Sequence, residues 1–150
     1  MNKKQLEDEL EKRLSDRGLL RYANDYFIGF KEIFEKHPKI TDLYQVKFFL
    51  LCHSLELVLK AFLRHKGYSR KQLINLGHNL ENLLRELYEK NNIFFDKNSS
   101  QIIIQVNQYY NSKQFEYFQS GSKVLVDIIK LADVTKLILD KINYKFKNET

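Results

Sequence analysis

Apolar side chains along this chain recur at spacings of three and four, the period of a helix that buries one face. Between residues 19 and 36, Tyr22, Tyr26, Gly29 and Ile33 follow one another in this way, with Phe30 and Phe34 beside them. Towards the C-terminus Leu125, Ile128, Ala132, Thr135, Leu139 and Ile142 repeat the pattern, and Asp127, Lys130, Asp140 and Lys141 fall mostly opposite. The stretch 43–65 differs, being apolar nearly all round its middle from Phe48 to Leu63. A helix of that kind is enclosed by others, so it is predicted to be the hub of a bundle.

Breakers set the expected boundaries. Pro38 forces His37 out of helical angles and ends the second helix, and Thr41-Asp42 is placed to cap the third. Gly67 and Gly77 bracket what reads as a short connection, and Gly121 precedes the last helix. The predicted helices cover 3–16, 19–36, 43–65, 79–90, 100–110 and 122–144, with a polar connection over 91–99. The run Ile102-Ile103-Ile104 looks strand-like in isolation but lies within a helical pattern. No repeat, linker or low-complexity tract interrupts the chain. The fold class expected is therefore an all-α single-domain bundle spanning residues 1–150, with four to five main helices and a charged N-terminal one.

Composition sharpens this reading. Five glycines and one proline in 150 residues are too few for the frequent turns of an all-β domain. A single cysteine, Cys52, excludes a disulfide scaffold and a zinc site built on paired thiolates. The chain opens with charge rather than with an apolar leader, and its apolar runs stop well short of the roughly 20 residues of a membrane span. A cytoplasmic protein with no membrane role is expected. The 25 basic and 19 acidic side chains leave a net charge of +6.

That charge is unevenly spread. No acid lies between Glu56 and Glu81, whereas Lys60, Arg64, Lys66, Arg70 and Lys71 do, with Tyr68 among them. Five cations can track a phosphate backbone while Tyr68 stacks on a base; equally, they can be a solvated face complementing a helix C-terminus. On the hub helix, His53, Glu56, Lys60 and Arg64 share an arc of about 80°, which suits a polar groove or a structural ion pair. His78, at a helix start, is either a local turn residue or part of an anion pocket with that stripe. Tyr109, Tyr110, Tyr117 and Phe118 surround the last loop and suit a bundle end, a dimer contact or a stacking surface. No Glu-x-x-His pair occurs, although His53-x-x-Glu56 shares a face, and phosphate-binding glycine loops are absent, so no metal and no cofactor is expected.

Leu55-Glu56-Leu57-Val58-Leu59-Lys60-Ala61-Phe62-Leu63, followed by Gly67 and then Gly77-His78-Asn79-Leu80, resembles the HEPN family. The resemblance extends through Asn107-Gln108-Tyr109-Tyr110 and Phe115-Glu116-Tyr117-Phe118, and covers roughly 43–142. It implies a helical, frequently dimeric bundle associated with RNA, often in toxin–antitoxin or defence systems and sometimes beside a nucleotidyltransferase. The ribonucleases of that family resemble one another in an arginine followed by a histidine with four to six residues between. Here the nearest pair, Arg70 and His78, has seven residues between, no arginine follows Arg85, and Glu116 stands where similar sequences place an arginine. The expectation is thus a non-catalytic module associated with RNA or nucleotide through Lys60, Arg64, Lys66, Tyr68, Arg70, Lys71 and His78. A protein-interaction or dimerisation module is the alternative. A ribonuclease with a non-standard site at His53, Glu56 and His78 is a further one.

Overall fold

The computed structural model describes residues 1–149, and among them seven α-helices and no strand. The helices are α1 (Lys3–Arg13), α2 (Asp16–Lys36), α3 (Tyr44–His65), α4 (Arg70–Leu76), α5 (Leu80–Asn91), α6 (Lys97–Asn111) and α7 (Ile128–Asn148). The chain is an all-α bundle. Its hub is α3, which packs on α2 along most of its length and touches α4, α5, α6 and α7 as well. Leu51, Leu55, Val58, Leu59 and Leu63 are fully buried there, as the uniformly apolar stretch implies.

The helix boundaries show which local signals won. The first break falls at Leu14-Ser15, earlier than the expected 16–19, because the Ser15 hydroxyl accepts the Gly18 N–H at 2.9 Å and caps α2. A Cβ added at Gly18 would lie 2.7 Å from that hydroxyl, which would then have to shift. Helix α3 is not capped by Thr41 or Asp42. It starts from Leu43 in a left-handed conformation with no side-chain cap. The segment expected as a plain connection contains α4, opened by a reciprocal Ser69–Gln72 capping box and closed at Gly77. Asp96 caps α6 three residues before the expected start, and Asp127 caps α7, which leaves 112–127 as a loop.

One buried cation fixes the α2–α3 corner. Lys47 is fully buried, and its ammonium donates to the carbonyls of His37 and Lys39 (the latter at 2.8 Å), 5.5 Å from the centre of the Phe34 ring. These carbonyls lie just past the C-terminal end of α2, where a positive charge is favoured. The lysine thereby ties an exposed turn to the start of α3. Lys47→Met keeps the apolar stem but leaves both carbonyls without that donor. It is expected to lower the unfolding free energy by about 1–3 kcal/mol in urea denaturation; an unchanged midpoint and slope would show that the corner does not need the ammonium.

Candidate functional site

At the middle of α3 the Glu56 carboxylate sits inside the bundle, only 2% exposed. A charge there must be fully bonded, and three donors converge on it. Lys60, one turn along, donates at 3.1 Å; the Tyr110 hydroxyl on α6 donates at 2.7 Å; and His78 Nδ1 stands 2.9 and 3.0 Å from the two oxygens. Beyond Tyr110, His53 Nδ1 lies 2.9 Å from the phenol oxygen. Among the described residues no buried side-chain nitrogen or oxygen is left without a partner.

Valence assigns the protons. Tyr110 has one hydroxyl hydrogen, held by a carboxylate that can only accept, so His53 Nδ1 must carry a hydrogen and donate. His78 Nδ1, facing the same carboxylate, donates for the same reason. In their neutral forms both imidazoles therefore keep the Nε2 lone pair for something other than Glu56. His53 is packed flat on Phe49, centroids 5.2 Å apart, and against the edge of Tyr26. His78 is reachable, with 53% of its side chain exposed.

The turn that presents His78 is itself locked. Gly77 has φ 67° and ψ −156°, a conformation open essentially to glycine alone. Asn107, buried on α6, accepts the Leu80 N–H at 2.8 Å and donates at 3.0 Å to Asn79 Oδ1, which also caps α5 through Asn82. Asn107 and Tyr110, three residues apart on one face of α6, thus hold the turn and the carboxylate together.

Electrostatics follow from this geometry. Burial by itself raises the Glu56 carboxyl, but the adjacent ammonium of Lys60 and the bonds from Tyr110 and His78 outweigh it and hold the group below its ordinary 4.5. Burial pushes His53 below its ordinary 6.5, with the Glu56 charge pulling the other way. Burial, and then the same carboxylate, push the Tyr110 phenol and the Cys52 thiol upward, so both stay protonated and Cys52 is a small core residue. The cluster can hold and move protons at two imidazoles. Among the described residues no group of three or more His, Cys, Asp or Glu is arranged to hold a metal.

The remaining candidates divide between buried and open positions. Arg64 is enclosed by α1, donating to Glu11, to the Leu14 carbonyl and to the Tyr68 carbonyl. Tyr68 is fixed through its hydroxyl to Glu86 at 2.7 Å. Lys71 is exposed, Arg70 is partly covered, and Lys66 lies 3.6 Å from Glu149 on the surface, a pair worth little in water. Acids from α1, α5 and the C-terminal end thus approach a run that contains none of its own. Tyr110 belongs to the Glu56 network, Tyr109 bonds the Val124 N–H at 2.8 Å, and Tyr117 and Phe118 stand out in solvent.

No family model, curated protein or solved structure matches this chain. Among the described residues no helix is long and apolar enough to cross a membrane.

Both depressed groups bind fewer protons folded than unfolded, so the stability they contribute is present above their unfolded values and lost on acidification. Stability is expected to start falling as pH drops below 6.5, from His53, and to fall further below about 4.5, from Glu56 together with the likewise depressed Glu11, Glu86, Asp16 and Asp96. Glu56→Gln is expected to cost roughly 1–3 kcal/mol at pH 7 and to flatten the loss below pH 4.5 in denaturant titrations. An unaltered acid limb in that variant would contradict the assignment.

Proposed function

We propose that this chain is a non-catalytic helical module that binds single-stranded RNA or a nucleotide through the corner formed by the end of α3, α4 and the start of α5. The observation that carries the reading is the acid-free run between Glu56 and Glu81, which folds into the end of α3, α4 and the start of α5 and carries Lys66, Arg70 and Lys71 at or near the surface, with the half-exposed imidazole of His78 towards its end. Surface cations attract a phosphate backbone and supply most of the affinity in sequence-tolerant binding. The HEPN-like stretches 55–63 and 77–84 are in keeping with it.

The test is a salt series with a labelled single-stranded RNA, comparing the native sequence with Lys66→Glu/Lys71→Glu. These two lysines are chosen because both are exposed, whereas Arg64 is covered by α1. The account expects binding that weakens as salt rises, with a slope of about 0.7 per phosphate neutralised, and that is at least severalfold weaker in the variant. Equal binding by both chains contradicts it. RNA length is followed in the same samples, because two imidazoles with free Nε2 lone pairs are also what metal-free cleavage would use. Loss of full-length RNA that His78→Ala abolishes would make the module an enzyme.

A second reading, a protein-interaction or dimerisation module, is supported by the 112–127 loop. There Phe118 is 94% and Val124 84% exposed, beside cavities of about 420 and 480 Å³ that share Tyr44 and Lys123. Exposed apolar patches of that kind mark interaction sites. On this reading light scattering finds a dimer that Phe118→Ser/Val124→Ser converts to monomer; a monomer at all concentrations, with or without the changes, counts against it.

A further inference from the structure

Helix α1 buries none of its residues, so it lacks the apolar stripe that fastens an ordinary surface helix to its core. A polar latch at its C-terminal end holds it instead. Arg64 donates from Nη1 to the Glu11 carboxylate, from Nη2 to the Glu11 carbonyl at 2.9 Å, and from Nε to the Leu14 carbonyl at 2.8 Å. The second Glu11 carboxylate oxygen accepts the backbone N–H of Arg70 at 2.8 Å. One turn earlier Glu7 lies on the same side and, with Glu11, Arg70 and Lys71, lines a cleft of about 250 Å³.

The Glu11 carboxylate therefore sits where a guanidinium and a backbone N–H converge, which is the bonding a phosphate oxygen seeks. It also explains why Arg64 has only 18% of its side chain exposed. A helix held by charge-assisted bonds at one end, with no buried side chain behind it, is a segment of low local stability. A polyanion can exchange for it at little apolar cost.

We infer that α1 is an autoinhibitory strap, whose Glu7 and Glu11 occupy the phosphate-binding face of the α3–α4 corner and must lift away for RNA to engage Arg64 and Arg70. This rests on the RNA reading above. When the strap lifts, Arg64 loses its two bonds to Glu11 and retains those to the Leu14 and Tyr68 carbonyls, so its guanidinium is held in place to receive a phosphate. The strap and the RNA compete for the same donors, so weakening the strap strengthens RNA binding.

The experiment uses the full chain, native and Glu7→Gln/Glu11→Gln, the amides being close in shape to the carboxylates they replace. Both are titrated with the same labelled single-stranded RNA across a salt series, after thermal melts establish that the variant is folded. The expected result is affinity about fivefold or more higher in the variant at low salt, with a steeper salt dependence from the added phosphate contacts. In the native chain, amide hydrogen exchange over residues 3–13 should quicken when RNA is added. Equal or weaker binding by the variant, with α1 exchange unchanged by RNA, overturns the strap and leaves the RNA reading standing. Absence of RNA binding by both chains overturns the RNA reading, and the strap with it.

Discussion

A carboxylate inside a helical bundle is tolerable only if every strong acceptor position on it is filled, and Glu56 meets that condition with donors from three places in the chain. Lys60 comes from the same helix, Tyr110 from α6, and His78 from the turn between α4 and α5. Removing any of these leaves the others holding a buried charge short of a partner. The carboxylate therefore sets where α6 lies against α3 and how the 77–79 turn must run. Gly77 in its glycine-only conformation and Asn107 bridging Leu80 and Asn79 are local consequences of bringing His78 to that carboxylate.

Lys47 answers the same problem with the opposite sign. It has no carboxylate partner and spends its ammonium on the carbonyls that follow α2. Two charges on one helix, one meeting side-chain donors and one meeting backbone acceptors, let α3 be nearly all apolar and still orient the segments around it. The cationic corner is built on this frame: the same helix carries Lys60 and Arg64, and the Gly67 and Gly77 turns bring Arg70 and Lys71 to its end and His78 back to its middle.

Much of the fold is legible in the sequence because helical periodicity and breakers are local signals. The hub helix, the Pro38 stop and the amphipathic last helix all follow from them. What escapes is set by short-range bonding or by distant residues. Ser15 beat the longer first helix because one hydroxyl satisfied the Gly18 N–H, and α4 hid between two glycines although Ser69-x-x-Gln72 before Leu73 is a helix-start signature. In the candidate site, the Glu56–Lys60 pair is visible at its i, i+4 spacing. Tyr110 and Asn107 are not, since only packing brings α6 to α3. Their three-residue separation on the Ile103 and Val106 face was the available signal. The acid-free run also misleads in one respect, because Glu11, Glu86 and Glu149 reach it from elsewhere in the chain.

Backbone amide chemical-shift mapping of the full chain during titration with a single-stranded RNA tests the central claim most directly, because it locates the contact without altering the protein. The account predicts changes at Lys66, Arg70, Lys71 and His78, together with changes along 3–13 as the Glu11 latch opens. Perturbations confined to 117–124, or an unperturbed spectrum at low salt, would contradict it and leave the apolar loop as the surface with a role.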